Sequence, residues 1–109
     1  MADTYKVLGQ LAPGAATLST LYTTPASTET VVSSIVIANR SATPTSYRIA
    51  VRPAGAGISN EHYIAYDIAI GANETQIMTI GVTLEATDVI SVYNTLATLS
   101  FNAYGVERT

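Results

Sequence analysis

His62 is the single histidine of the chain, so any proton shuttle built on an imidazole has to use it. A Ser-His-acid triad needs a carboxylate to orient that ring and a hydroxyl for it to activate. The nearest acids in sequence are Glu61 and Asp67. Adjacent strand residues point to opposite faces, so Glu61 is badly placed to orient His62, and Asp67 also falls on the opposite set. Nine serines are present and none sits in a Gly-x-Ser-x-Gly elbow. These spacings favour a surface histidine at the start of a strand.

The other chemistry-bearing residues are equally scattered. The acids Asp3, Glu29, Glu61, Asp67, Glu74, Glu85, Asp88 and Glu107 lie mostly beside turns, and no pair has a spacing that marks glycosidase-type catalysis. No Asp-x-Asp-x-Asp run suggests a calcium loop. The absence of cysteine excludes a disulfide scaffold and a thiolate zinc site. Gly55-Ala56-Gly57 is too short for a phosphate loop and reads as a flexible connection. The expectation is a protein that is not an enzyme and carries no cofactor and no metal.

Two features invite binding instead. Arg48 and Arg52 fall on the same side of one strand in a chain with five basic residues. They are candidate contacts for an acidic partner or a neighbouring subunit; the competing reading is a solvated strand face whose surface charges add little stability. Seven tyrosines without tryptophan could form a platform for sugars. Tyr47 and Tyr66 fall on apolar alternation sets, which places them in the core. Tyr22, Tyr63, Tyr93 and Tyr104 fit either role.

The elements that must position these residues are strands. Val, Ile and Thr supply 35 of 109 residues, and their branched side chains suit a pleated sheet. Turn residues recur every eight to twelve positions, the spacing of a sandwich or barrel. The runs are Tyr5 to Gln10, Leu18 to Thr23, Thr30 to Asn39, Thr45 to Arg52, Glu61 to Ile70, Thr75 to Ile80, Asp88 to Asn94 and Leu99 to Glu107. The third is apolar on both alternation sets, which predicts a central strand covered on both sides. Leu84 to Asp88 offers one helical turn at most. The prediction is an all-β chain, one antiparallel β-sandwich domain over 1–109 with about eight strands, Ig-like or jelly-roll in topology.

Charge narrows the partners. The net charge is −3 and charged residues make up 12% of the chain, about half the roughly 25% usual for soluble domains. No basic stripe exists to hold a phosphate backbone, so nucleic acid is not an expected partner. No apolar run approaches the roughly 20 residues of a helical membrane span. The opening Met-Ala-Asp-Thr-Tyr-Lys has neither a basic n-region nor an apolar h-region, so no secretory leader is expected. The sequons at Asn39 and Asn73 then read as chance matches. A weakly charged, Thr-rich surface suits a domain covered by neighbours better than a free monomer.

Several stretches carry a family likeness: Tyr5-Lys6-Val7-Leu8-Gly9-Gln10, Leu21-Tyr22-Thr23-Thr24-Pro25-Ala26, the run from Val31 to Arg40, Leu84 to Tyr93, and Ser100 to Glu107. In this layout the chain resembles the short β-sandwich proteins that bacteriophages place on the virion, as capsid cement or decoration subunits or as tail and fibre components. The resemblance implies location on the virion, binding to the major capsid protein or other virion proteins, and a symmetric homo-oligomer, a trimer first. It carries no catalytic residue to transfer. The alternative it leaves is a tail, neck or fibre component that binds a receptor or glycan.

Overall fold

The computed structural model describes residues 2–109. All eight sequence runs form strands, and a ninth joins them. In chain order they are β1 (Asp3–Leu11), β2 (Ser19–Thr23), β3 (Glu29–Asn39), β4 (Thr45–Arg52), β5 (Tyr63–Ile70), β6 (Thr75–Met78), β7 (Val82–Leu84), β8 (Val89–Asn94) and β9 (Leu99–Arg108). Short 3-10 turns at Pro53–Gly55 and Asn60–His62 lie between β4 and β5, and the described residues contain no α-helix.

The pairings follow one pattern. β1 pairs with β9, β2 with β8, β3 with β6 and β7, and β4 with β5, all antiparallel. The chain is therefore one long hairpin whose tip is the β4–β5 connection. Curling that hairpin brings β9 against β3 and β8 against β4. The result is a larger sheet, β1-β9-β3-β6 with β7 also on β3, and a smaller sheet, β2-β8-β4-β5. This is jelly-roll topology, which resolves the choice left open between jelly-roll and Ig-like arrangements.

The extra strand arises where the Thr75–Ile80 run ends early, at Met78. Gly81, at φ +57°, turns the backbone, and Val82–Leu84 re-pairs farther along β3. The two fragments flank a bulge in β3 at Ser33, where its register with β9 skips between Val32 and Ser34. That bulge corrects the expectation for β3. Thr30 and Val32 point inward before it, and Ile35, Ile37 and Asn39 after it. A one-residue insertion reverses the phase, so both alternation sets look apolar although only one face is buried. β3 is central in its sheet, but Val31 on its outer side is 45% exposed.

β5 repeats the effect. Asp67, at φ +51°, lies where the register with β4 skips: Tyr47 faces Ile68, whereas Ile49 faces Ala65. Ala65 and Ile70 point inward on either side of the bulge, and Ile64 and Tyr66 point out. Tyr66, read from sequence as a core residue, is 53% exposed. Tyr47 does enter the core, edge-on to Phe101 with ring centroids 6.2 Å apart.

The core lies between the sheets. Val32, Ile35, Ile37, Leu99, Phe101 and Ala103 from the larger sheet meet Leu21, Ile49, Ile70, Ile90 and Val92 from the smaller. Polar links join the sheets at two places: the Tyr47 hydroxyl donates to Gln76 Oε1 at 2.6 Å, and the Tyr22 hydroxyl donates to Glu107 Oε2 at 2.6 Å, where Lys6 Nζ reaches Glu107 Oε1 at 3.1 Å. Burial, reinforced by that carboxylate, pushes the Tyr22 hydroxyl up to about 12. The same hydrogen bond holds the Glu107 carboxyl below its ordinary value. At Gly105 the strands approach so closely that a Cβ would strike the Val31 carbonyl.

Candidate functional site

The outer face of the smaller sheet gathers the polar and aromatic groups. Arg48 on β4 lies opposite Tyr93 on β8, and its guanidinium carbon sits 4.5 Å from the centre of that ring. The bulge at Asp67 delivers two further groups from β5. Arg48 Nε donates to Asp67 Oδ1 at 2.7 Å, and the guanidinium lies 4.1 Å from the Tyr66 ring centre. The guanidinium thus lies close to two tyrosine rings and is held by a carboxylate, a combination of cation–π and charge-assisted contacts. The Asp67 bond holds the Arg48 pKa above its ordinary value.

Tyr66 also meets Tyr63 nearly at right angles, at 85° and 4.9 Å between centroids. Asn60, Tyr63 and Tyr66 line an open cleft of about 460 Å³. The turn that presents Asn60 is closed by His62, whose Nδ1 accepts the Ser59 N–H at 3.1 Å. His62 therefore holds local backbone. Asp67, one of the two acids considered for it, bonds to Arg48 instead.

Arg52, on the same face, serves the far end of the sheet. Its Nε and Nη2 donate to the carbonyls of Ala56 and Gly55 at 2.7 and 3.0 Å, and its Nη1 donates to Ser91 Oγ at 3.2 Å. These bonds fold the segment after β4 over β8, with Asp88 Oδ1 accepting the Ala54 N–H at 2.8 Å. Gly55-Ala56-Gly57 is the cover of that end. Arg48 and Arg52 share a face, but each is first engaged within its own chain.

The outer face of the larger sheet is different. Tyr5 is 80% exposed, Ile77 66% and Val7 46%, and Val31 joins them. Register places Tyr5, Val106 and Val31 in one row across β1, β9 and β3, Val7 beside Tyr104 in the next, and Val36 beside Ile77 farther along. Charge appears only at one end, where Arg108 grips both oxygens of Asp3 at 2.8 and 3.2 Å. That grip holds the Asp3 carboxyl below its ordinary value.

Sequence reasoning missed the Arg48 stack, because it depends on cross-strand register and on a bulge. The one signal available was an aspartate inside an otherwise apolar β run, a residue depleted in strands. Among the described residues no group of three or more His, Asp or Glu side chains is placed to share a metal ion. No helix among them is long and apolar enough to cross a membrane. No protein-family model matches the chain, and no curated protein matches it significantly.

Proposed function

We propose that this chain is a virion structural protein of the capsid cement or decoration kind, which docks on an assembled shell through the outer face of its larger sheet. The observation that carries this reading is the paving of that face by exposed Tyr5, Val7, Val31 and Ile77. Scattered exposed apolar residues are ordinary, but adjacent rows of them on one sheet face mark an interaction surface. The resemblance to phage virion proteins supplies the setting, with the major capsid protein as partner and a homo-oligomer, trimeric first, as the docking unit. Jelly rolls host many unrelated functions, so the topology alone favours none.

Docking of this kind acts by mass action. A subunit that binds only the assembled lattice stabilises that lattice, and copies joined in an oligomer bind more tightly than one contact allows. Particles lacking the protein should assemble but break at lower temperature, and added protein should restore them. Val31→Lys with Ile77→Lys should abolish that rescue while leaving the fold intact. Equal affinity for free shell subunits, or unchanged particle stability on removal, would overturn the shell reading and move the chain to the tail, neck or fibre.

A further inference from the structure

We propose that the corner formed by Asn60, Tyr63 and Tyr66, next to the Arg48 guanidinium that lies against the Tyr66 ring, is a binding site for a neutral saccharide. The proposal stands independently of the shell reading, since it uses the opposite face of the sandwich. A pyranose has two kinds of surface, a face of C–H groups and a rim of hydroxyls. The first needs exposed, rigid aromatic surface, and the second needs planar side chains that donate and accept. Both are present here. Tyr66 leaves about half its surface open, and its ring is fixed by Arg48 on one flank and by Tyr63 on another. A ring held this way gives contact area without losing further freedom on binding.

The hydrogen-bonding groups are similarly prepared. The Arg48 guanidinium carbon lies 4.1 Å from the Tyr66 ring centre and 4.5 Å from that of Tyr93, and Asp67 takes its Nε. Its Nη groups have no hydrogen-bond partner among the described residues and are left to donate to a ligand. The amide of Asn60 lines the same cleft and supplies both a donor and an acceptor. The cleft volume of about 460 Å³ lies within the roughly 300–1,000 Å³ common for small-ligand sites.

Charge selects a neutral ligand. The Arg48 cation is matched by the Asp67 anion at 2.7 Å, and Arg52, the other cation on this face, is committed to two carbonyls and Ser91. An anionic sugar would meet a compensated guanidinium and the neighbouring Asp67 carboxylate. A hydroxyl rim meets donors and acceptors at no such cost.

The test is titration of the isotopically labelled full chain with cellobiose, lactose and diacetylchitobiose, followed by amide chemical shifts. Glucuronic acid and sialyllactose serve as anionic comparisons. At least one neutral disaccharide should shift signals confined to Asn60, Tyr63, Tyr66 and the Arg48 surroundings, with a dissociation constant of about 1 mM. Tyr66→Ala should weaken that binding about tenfold or more, while Tyr66→Phe, which keeps the ring, should largely retain it. Undisturbed signals from Phe101 and Ile35 show that each variant is folded. Three outcomes overturn the proposal: no neutral probe binds, only the anionic sugars bind, or the shifts survive in Tyr66→Ala. Coverage of this corner by a second copy or by shell protein, with no response to any sugar, overturns it in favour of a protein contact.

Discussion

The two outer faces of the sandwich lie back to back across one core, yet they are built for different work. On the larger sheet, Tyr5, Val7, Val31 and Ile77 project as separate side chains that use little of one another's surface. On the smaller sheet, Tyr66, Arg48 and Tyr93 are locked together before any partner arrives, and Arg52 draws a loop across the rest. The first face offers apolar area and little orientation. The second exposes Ile64, Tyr66 and Ile68 as well, but sets beside them groups fixed in place, with hydrogen-bonding directions already chosen. Area suits broad attachment to a lattice, and fixed directions suit recognition of a small ligand.

Removing what the faces share should have the largest effect. Phe101→Ala opens a cavity between the sheets and should cost about 3–5 kcal/mol in a denaturant titration, disabling both faces together. A comparison of two glycines then separates the sheets. Gly105→Ala forces a methyl group against the Val31 carbonyl in the middle of the larger sheet and should cost about 2–3 kcal/mol. Gly57→Ala, in the cover of the smaller sheet, meets nothing within 4 Å and should stay within about 0.5 kcal/mol.

Next in size is the Tyr22–Glu107 link between the sheets. Tyr22→Phe leaves Glu107 without its shortest hydrogen bond and should cost about 1.5–3 kcal/mol. It should also flatten the pH profile. The Glu107 carboxyl is held below its ordinary value of 4.5, so its contribution is present above that value and is lost as the pH falls through the lowered one. The Tyr22 hydroxyl is raised from 10.0 to about 12, so between those values the unfolded chain releases a proton that the folded chain keeps. Stability therefore falls as pH rises through that window. Tyr22→Phe should weaken both limbs; the alkaline limb should persist in part because burial also raises Tyr47. Melting temperatures measured from acid to alkali check both signs.

Arg48→Ser with Arg52→Ser should act on binding more than on the fold. Exposed ion pairs and cation–π contacts contribute about 0.5–1 kcal/mol each, so the double variant should remain folded. What distinguishes the faces is binding. If the arginine face also contacts a virion neighbour, occupancy on particles should drop in this variant, as it should for Val31→Lys with Ile77→Lys. Unchanged occupancy assigns attachment to the larger sheet alone.

Much of this architecture was legible in the sequence. Branched residues and regularly spaced turns identified eight of the nine strands, and clean alternation placed Tyr47, Ile49 and Val51 of β4 on one side. What stayed hidden were the phase reversals. A bulge adds one residue and leaves little compositional mark: Ser33 looked like an ordinary member of its run, and the aspartate at 67 was the one hint in the other. Tyr66 was placed in the core for that reason, and the stack around Arg48 stayed invisible with it. β7 was missed because three residues after a glycine do not establish a period. The pairing of Arg48 with Arg52 on one face was readable. The groups that hold each of them, brought in from β5, β8 and the loop after β4, were not.

The place of β9 between β1 and β3 has a consequence for how the molecule is made. The smaller sheet has all its strands once synthesis has passed Asn94, but the larger sheet then has a gap where its middle strand belongs. Until Leu99–Arg108 is inserted, β1 and β3 present open edges and the core lacks Leu99, Phe101 and Ala103. Such distant pairing is slow to form, on the order of milliseconds to seconds. During that interval a newly made chain is half a sandwich with a vacant slot, and the β9 of another copy fits the slot as well as its own. Exchange of that strand between copies is the hazard built into this order of assembly.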